Sequence, residues 1–327
     1  MAVQIYRLNA SSYQNQSFSV AEREMLEKIP GVSYINSVSD INMQIPFILI
    51  SNTHTTPDEI PKDIIEKTIL MIHPNSGYDN FSVTFCENVK FPILVGNPVR
   101  SHPVAEYILS CLLNHICSVP NQRHWQEDRT WNRPLLRDQN ILIVGMGMIG
   151  KILMNSLSPL CPNIKFYDPY NEDEFLKGKR QKKLIEKTKF DVVLMACSLN
   201  KKNVGMINKR FFESISEKAV IINAARGGLI VQKDLEQFLI NNPGAFAYLD
   251  VFEDEPFRPS DLSNLKNINK TSHIAGVSMS LNNDIIQYEY HLVQEALKAL
   301  EQKEFDQFLN DYSKLNLKNK TVEGILI

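Results

Sequence analysis

Three short motifs carry side chains suited to ligand binding and proton transfer, and each follows a predicted strand. Arg226 lies in the motif NAARGG, where its planar guanidinium could bind a carboxylate through two hydrogen bonds. Several carboxylates crowd the segment 249–256, and His273 lies in the motif SHIAG, where an exposed imidazole could face a cofactor. Open α/β sheets bind ligands at the carboxyl ends of their strands, so these motifs are candidates for one site. The plainer alternatives are a surface arginine, an acidic surface loop and a structural histidine.

A glycine-rich turn lies upstream, between a predicted strand and a predicted helix. The apolar residues 141–144 lead directly into the sequence GMGMIG, and helix-forming residues follow it. Gly145 permits a tight turn, Gly147 lets a pyrophosphate approach the backbone, and Gly150 lets the helix pack closely against the strand. The helix N-terminus would hold the phosphates through its free N–H groups and its dipole. An ordinary strand-to-helix turn containing glycines is the alternative.

Asp168 ends the next apolar run and follows Gly150 by 18 residues. A carboxylate at about this offset accepts a hydrogen bond from the ribose 2′-hydroxyl of a dinucleotide. It would also repel a 2′-phosphate, and it therefore favours NAD over NADP. The turn and the aspartate together predict an NAD-binding βαβ unit.

Short apolar runs, alternating with polar or helical segments, predict the sheets that must position these motifs. The runs before residue 100 are separated by spacers of roughly ten residues, which indicates an open, mostly parallel α/β sheet. The six runs after residue 140 begin at the glycine turn and predict a doubly wound dinucleotide-binding sheet. The predicted strands are 3–8, 32–35, 47–50, 68–73 and 92–95 in the first set, and 141–146, 164–168, 191–195, 219–223, 246–250 and 270–274 in the second.

Two long predicted helices link two domains, for which 327 residues give ample material. The first is apolar and begins near Val104, with Pro103 in its first turn and Ser101 or His102 as its cap. The second spans 284–302, and we expect the apolar C-terminal tail after it to return to the first domain. The predicted domains are a substrate-binding domain of residues 1–100 and 284–327 and an NAD-binding domain of residues 101–283.

Composition narrows the possible partners. The chain has 35 basic and 37 acidic residues and a formal net charge of −2, so no field gathers nucleic acid or a membrane surface. Its five cysteines are scattered, with no CxxC pair, which argues against a disulfide framework and a zinc site. The N-terminus lacks a secretory pattern, and the longest apolar helical stretch is too short to span a bilayer. We expect a cytoplasmic protein with reduced thiols and no bound metal.

The motifs GMGMIG with Asp168, NAARGG, LDVFEDEP and SHIAG, in that order and spacing, resemble those of the D-isomer-specific 2-hydroxyacid dehydrogenase family. The resemblance covers about 77–276; SGYDN and VAE support it more weakly, and it is faint before Lys67. It implies an α/β fold with two doubly wound domains, in which a Rossmann NAD-binding domain is inserted in a flavodoxin-like substrate domain. It also implies a homodimer formed through the NAD-binding domains, with 129–136 as a candidate exchanged loop.

The resemblance assigns roles to matching positions. Arg226 corresponds to the family's substrate-binding arginine, Glu255 to its catalytic glutamate and His273 to its general acid/base; the intervals of 29 and 18 residues between them agree with the family pattern. Asp250 corresponds to the residue that holds the nicotinamide carboxamide. The loop of Ser76 and Gly77 resembles the one whose N–H groups meet the substrate carboxylate. The implied NAD contacts are Gly145, Gly147, Met148, Ile149, Gly150, Asp168, Cys197, Ala225, Asp250 and Gly276.

The implied activity is hydride transfer between NAD(H) and a small D-2-hydroxy or 2-oxo acid bound in an interdomain cleft. Arg226 would fix the carboxylate, His273 would protonate the carbonyl oxygen, and Glu255 would orient the ring and favour its protonated form. The reverse reaction would use neutral His273 as the base. A different class of function stays open, in which the chain is an NAD(H)-sensing regulatory binding protein of the same fold with little turnover.

Departures from the family pattern refine this expectation. The stretch Ser198-Leu199-Asn200 replaces a usual Pro-Leu-Thr, and Asn203 replaces a common threonine, so details of NAD contact are open. Glu255 is not the glutamine of formate dehydrogenases, and Ser76 is not the lysine of phosphite dehydrogenases, which argues against both substrates. Arg100 and His102 either contact substrate or serve as a helix cap and solvated charge.

Overall fold

The computed structural model describes the chain except for residues 1, 10–13, 36, 122–123, 126, 129–130, 132, 172, 259–261, 263–264 and 323. Part of the predicted exchanged loop 129–136 therefore lies outside the described residues. The chain divides into two compact units, a first of Met1–Arg100 with Ser278–Ile327 and a second of Ser101–Val277. Among the described residues, no helix is long and apolar enough to cross a membrane.

Strands and helices alternate along most of the chain. The described strands are β1 (Val3–Arg7), β2 (Val32–Ile35), β3 (Phe47–Ile50), β4 (Thr68–His73), β5 (Ile93–Val95), β6 (Ile141–Val144), β7 (Ile164–Tyr167), β8 (Val192–Met195), β9 (Val220–Asn223), β10 (Phe246–Leu249), β11 (Ile268–Lys270), β12 (Thr321–Val322) and β13 (Ile325–Leu326). The described α-helices are α1 (Gln16–Leu26), α2 (Lys62–Lys67), α3 (Val83–Asn88), α4 (Asn97–Ile116), α5 (Met148–Leu157), α6 (Lys209–Phe212), α7 (Gln232–Asn241), α8 (Leu281–Gln302) and α9 (Phe305–Asp311).

The first unit contains a five-stranded parallel sheet in the order β2-β1-β3-β4-β5, the flavodoxin-like order. Its strands are apolar on both faces because both are covered. Ile48 and its neighbours pack with Leu292 of α8 and Phe308 of α9, and Leu49 and its neighbours pack with Phe85 of α3 and Leu326 of β13. The C-terminal tail is thus part of the first core, as expected from its apolar residues.

The second unit contains a six-stranded parallel sheet in the order β11-β10-β9-β8-β6-β7. A classical Rossmann sheet has a further strand beyond its second one, and here a single parallel bridge between Phe166 and Arg180 takes that place. The strand order reverses between β6 and β8, which makes their carboxyl ends the ligand-binding edge. Both sheets confirm the predicted fold class.

The start of α4 was predicted incorrectly, because the helix begins at Asn97 and not near Val104. Pro98 lies in its first turn, where a missing N–H costs nothing, and Pro103 lies inside the helix. Burial of Val104, Ala105, Ile108, Leu112 and Ile116 in the core of the second unit favours an unbroken helix despite the internal proline. Ser101 and His102 are therefore helical residues and do not cap the helix.

Candidate active site and cofactor-binding turn

The glycine turn between β6 and α5 is tightly packed at two of its three glycines. Gly145 has φ +100°, in the left-handed region that favours glycine, and a β-carbon there would lie 2.6 Å from the amide nitrogen of Cys197. A β-carbon on Gly150 would lie 2.2 Å from the carbonyl oxygen of Gly145. These contacts bring α5 against the ends of β6 and β8. The close packing predicted for Gly150 is present.

Gly147 differs from its neighbours because a β-carbon there would have no atom within 4 Å. It is the N-cap of α5 and provides no capping side chain, so the N–H groups of Met148 and Ile149 begin the helix beside open space. An open helix N-terminus at the switch point of a Rossmann sheet fits the pyrophosphate of NAD. The turn and α5 would hold the phosphates, and bound NAD would supply redox chemistry at its nicotinamide.

Asp168 is fixed at the end of β7 by two backbone donors. Its Oδ2 accepts from Met146 N at 2.8 Å, and its Oδ1 accepts from Tyr170 N at 2.9 Å. Each carboxylate oxygen has a second lone pair, so both can still accept from a ribose hydroxyl. Asp168 therefore joins the glycine turn to the next strand end, where the NAD-binding prediction needs a fixed negative charge.

The segment after β8, where the sequence departs from the family pattern, is braced by its own asparagines. Asn203 accepts from Asn200 N at 2.7 Å and donates from Nδ2 to the carbonyl of Ser198, also at 2.7 Å. The departure thus yields an ordered turn at this edge. Burial and the nearby Asp168 carboxylate raise the pKa of Cys197 to about 12, so its thiol stays protonated and unreactive.

The turn that carries Arg226 is shaped by the buried Asn223 at the end of β9. Asn223 donates from Nδ2 to the carbonyl of Arg226 at 2.9 Å and accepts from Ala225 N at 3.1 Å. A β-carbon on Gly227 would lie 1.8 Å from the carbonyl oxygen of Phe252, so only glycine allows this approach. The Arg226 turn is thereby held against the segment that leads to Glu255. The positive charge of Arg226 is close enough to lower the pKa of Glu255.

Glu255 and His273 form a hydrogen-bonded pair with 2.8 Å between Oε2 and Nδ1. The other oxygen, Oε1, accepts from Phe252 N at 3.1 Å. Burial raises the pKa of Glu255, but the bonds from His273 and Phe252 and the charges of His273 and Arg226 outweigh burial and lower it. An ionised carboxylate only accepts, so Nδ1 of His273 carries a proton and Nε2 is the nitrogen available to a substrate.

Asp250 lies at the centre of this region, and it is 1% exposed. Its Oδ1 accepts from the hydroxyl of Thr271 at 2.6 Å and from Ile274 N at 2.8 Å, and its Oδ2 accepts from Ala275 N at 2.8 Å. These bonds fix the loop of His273, because β11 ends at Lys270 and the histidine lies past the strand. The predicted contact of Asp250 with the nicotinamide carboxamide stays a prediction. Thr271 was given no role from the sequence, although it lies in the quoted motif.

Ser76 and Gly77 lie in the first unit, in the segment after β4. The buried His73 lies between Ser51 Oγ, 2.9 Å from its Nδ1, and the carbonyl of Gly77, 2.7 Å from its Nε2. Because a carbonyl only accepts, Nε2 carries the proton. Gly96 packs on Pro74, with N–H bonds to the carbonyls of His73 and Asn75. A buried histidine, which the sequence did not single out, thus positions the predicted substrate loop.

Comparison with known proteins agrees with this arrangement of a Rossmann sheet, a glycine turn and polar strand ends. The sequence model of the D-isomer specific 2-hydroxyacid dehydrogenase NAD binding domain matches residues 109–275, just over half of the 327-residue chain. The chain belongs to this family. Its second unit contains the NAD-binding domain, and the protein is an NAD-dependent oxidoreductase of 2-hydroxy and 2-oxo acids.

Individual relatives are distant. The chain is 24% identical over 244 residues to the putative 2-hydroxyacid dehydrogenase YoaD of Bacillus subtilis, covering 71% of this chain and 69% of that protein. It is 25% identical over 271 residues to the hydroxypyruvate reductase of Blautia hydrogenotrophica, covering 76% of this chain and 81% of that protein. The structure of D-lactate dehydrogenase from Aquifex aeolicus, complexed with NAD and lactic acid, superposes on this chain with a TM-score of 0.66 at 17% identity. The superposition covers 94% of this chain and 98% of that one.

Other predicted features are located as follows. Arg100 and His102 both lie within α4, and His102 is exposed. Gly276 follows the Asp250-bound residues 274 and 275. All five cysteines are free thiols. In the part of the chain that the structure describes, no group of three or more His, Cys, Asp or Glu side chains could hold a metal ion.

Proposed function

We propose that Arg226, Glu255 and His273 form the catalytic centre for a small D-2-hydroxy or 2-oxo acid. The observation that carries the proposal is the 2.8 Å pair of His273 Nδ1 and Glu255 Oε2, on a loop fixed by Asp250. A His–carboxylate pair of this kind is suited to general acid/base chemistry, since the carboxylate fixes the tautomer and stabilises the imidazolium. The nearby guanidinium of Arg226 provides the anion-binding group that an acid substrate requires.

The side chains have separate tasks in the proposed reaction. NADH, when bound, supplies a hydride to the carbonyl carbon of the 2-oxo acid. Arg226 binds the substrate carboxylate through two parallel hydrogen bonds and lies close to the oxygen on which negative charge grows. His273 donates its Nε2 proton to that oxygen, and Glu255 offsets the imidazolium charge before the transfer. In the oxidative direction, neutral His273 removes the hydroxyl proton.

We further propose a small, unbranched 2-oxo acid as the substrate, with Ser76 and Gly77 contacting its carboxylate through their N–H groups. The support is the loop braced by His73 and the names of the relatives, which include a hydroxypyruvate reductase and a D-lactate dehydrogenase. Phosphite dehydrogenases have a lysine where this chain has Ser76, which argues against phosphite as the substrate. Formate dehydrogenases have a glutamine where this chain has Glu255, which argues against formate.

The test is NADH oxidation with glyoxylate, hydroxypyruvate, pyruvate and bulkier 2-oxo acids, comparing the wild type with Arg226→Ala and His273→Ala. We expect turnover of at least one small acid by the wild type and a large loss in both variants. The exposed Arg210 on α6 offers a matched control, and Arg210→Ala should keep the wild-type rate. Equal rates in all variants would remove the proposed roles, and tight NADH binding without turnover of any acid would favour an NAD(H) sensor.

We propose that the protein acts as a cytoplasmic homodimer through its second unit. Large apolar side chains are exposed around the end of α4 and beyond, with Leu113 at 41%, Val119 at 80%, Trp125 at 79% and Trp131 at 45% exposure. Burying such a patch against a second copy would remove apolar surface from water. The candidate segment includes 129–136. A monomeric mass by light scattering at micromolar concentration would contradict this proposal, and a dimeric mass that becomes monomeric in Leu113→Glu would support it.

A further inference from the structure

The loop that carries His273 has an unusual backbone. His273 has φ +55°, in the left-handed region that side chains other than glycine rarely adopt. Two consecutive bonds surround it, from His273 N to the carbonyl of Asp250 and from Ile274 N to its carboxylate, each at 2.8 Å. Ala275 N makes a third bond to the same residue, also at 2.8 Å. The backbone of the His273 loop is therefore held by one buried residue, through the carbonyl and the carboxylate of Asp250.

A chain of hydroxyl groups leads from that carboxylate to α4. Thr271 Oγ1 lies 2.6 Å from Asp250 Oδ1, and the hydroxyl of Tyr107 lies 2.6 Å from Thr271 Oγ1. Both carboxylate oxygens already receive backbone N–H groups, so Asp250 is an acceptor and Thr271 is the donor to it. Because the threonine hydroxyl has a single hydrogen, Tyr107 must donate to its oxygen. The donors run in one direction, from Tyr107 through Thr271 to Asp250.

We propose that Thr271 and Tyr107 are positioning residues for His273, acting through Asp250. The proposal rests on the proposed role of His273 as general acid/base. Thr271 occupies the outer lone pair of Asp250 Oδ1 and turns the carboxylate so that its oxygens meet the amides of Ile274 and Ala275. Tyr107 fixes the rotamer of Thr271 from the rigid helix α4, so the loop is tied to the core of the second unit and not only to its own strand.

The neighbours of the tyrosine support a donor role. Burial raises the pKa of Tyr107, and the same is true of the Cys111 thiol beside it, one turn further along α4. Both groups therefore stay protonated at neutral pH. The hydrogen bond of Tyr107 leads to Thr271, so its effect on the reaction passes through Thr271 and Asp250.

The experiment compares Thr271→Val, which keeps the shape but removes the hydroxyl, with Thr271→Ser, which keeps the hydroxyl. Tyr107→Phe and the Tyr107→Phe/Thr271→Val double variant complete a cycle, and Thr188→Val, in a segment remote from the site, is the matched control. The readouts are kcat and KM for NADH-dependent reduction of hydroxypyruvate, or of glyoxylate if it reacts faster. A second readout, independent of turnover, is amide hydrogen exchange in the peptide that contains 271–277.

We expect Thr271→Val to lower kcat about tenfold, the scale of one lost buried hydrogen bond, with little change in KM. Its 271–277 amides should exchange faster, Thr271→Ser should recover both properties, and Thr188→Val should match the wild type. In the double variant the loss should be no larger than in Thr271→Val alone, because residues in one chain are not additive. If Thr271→Val fails to fold, Tyr107→Phe decides, with a smaller loss of kcat and faster exchange of the same peptide.

The proposal would be overturned if Thr271→Val and Tyr107→Phe both kept the wild-type kcat and the wild-type amide exchange. It would also be overturned if Thr271→Ser were as defective as Thr271→Val, or if the losses of kcat in the two single variants added up in the double variant. His273→Gln, measured in parallel, separates this inference from the proposed function. If His273→Gln retains the wild-type rate, the proposed function fails. If it loses activity while Tyr107→Phe and Thr271→Val do not, only the positioning role fails.

Discussion

Gly150 packs so closely on Gly145 that a β-carbon on Gly150 would lie 2.2 Å from the Gly145 carbonyl oxygen. A β-carbon on Gly147, in the same turn, would have no atom within 4 Å. The two glycines therefore serve different purposes. Gly150→Ala should destabilise the second unit, because α5 must move away from the turn. Gly147→Ala should leave the thermal midpoint nearly unchanged but weaken NADH binding about tenfold or more, because the methyl group occupies the space a pyrophosphate would use. Thermal unfolding and NADH fluorescence titration of both variants test this, and equal destabilisation by both would contradict it.

A second prediction concerns Asp168 and the choice of cofactor. Removing its charge in Asp168→Ala should lower the preference for NADH over NADPH about tenfold or more, since one hydrogen bond to a charged group contributes ~1.5–3 kcal/mol. The measurement is the ratio of kcat/KM values for the two cofactors. Asp168→Ala also removes the bonds to Met146 N and Tyr170 N, so Asp168→Asn is the control that keeps an acceptor. An unchanged ratio in both variants would show that the carboxylate does not select the cofactor.

A third prediction concerns a buried ion cluster in the first unit. Arg7 of β1 bonds to Glu22 of α1 and to Glu289 of α8, and both glutamates are fully buried. Burial raises the pKa of Glu289 well above its ordinary value; Arg7 lowers it and the nearby Glu22 carboxylate raises it further. One arginine cannot neutralise two buried carboxylates, so the folded protein keeps a proton on Glu289 at neutral pH.

The unfolded chain releases that proton above about pH 4.3, the ordinary value for glutamate. As pH rises, Glu289 therefore lowers the free energy of unfolding by at most ~1.4 kcal/mol per pH unit, until the folded protein also releases the proton. Glu289→Gln should abolish this part of the slope between pH 5.5 and 8 in urea unfolding. Glu301→Gln, on the exposed end of α8, should retain it. Parallel curves for the wild type and Glu289→Gln would refute the protonation of Glu289 in the folded protein.

Periodicity was sufficient to predict most of the fold. The predicted strands 32–35, 47–50 and 68–73 have the observed bounds, because short runs rich in apolar and β-branched residues and flanked by turn residues have few other solutions. Pro103 misled the prediction of α4, since tertiary burial of the helix outweighed its effect. The strand predicted near 270–274 starts two residues late and ends four residues late, because β11 is short and only partly buried.

The motifs led to Arg226, Glu255 and His273 as candidate residues, and their catalytic roles stay predictions. The hydrogen bond expected between Glu255 and His273 is present, but contacts with residues outside the motifs were not predicted. Tyr107 gave no signal, because it is 164 residues from Thr271 in sequence and looks like an ordinary helix residue. The ion pair of Arg7 and Glu289, which are 282 residues apart in sequence, could not be predicted from the sequence either. Contacts between distant segments depend on the packed fold and leave no local pattern.

A fourth prediction concerns pH and Glu255. The pKa of Glu255 is lowered, so its charge is present at neutral pH and is lost only as pH falls through that lowered value. Glu255→Gln keeps an acceptor for the Nδ1 proton of His273 but removes the charge that stabilises the imidazolium. The pH optimum for NADH-dependent reduction should therefore move to lower pH, and kcat at neutral pH should fall. A pH profile identical to that of the wild type would show that Glu255 only orients the ring.

The central claim is that His273, held by Glu255 across 2.8 Å, transfers the proton during reduction of a 2-oxo acid. The most direct measurement is the single-turnover rate of NADH oxidation at saturating hydroxypyruvate or glyoxylate for wild type and His273→Gln. General acid/base catalysis contributes about 10²–10⁴ in rate, so we expect His273→Gln to lose at least about a hundredfold while still binding NADH. A single-turnover rate in His273→Gln within a factor of about three of the wild type would contradict the account.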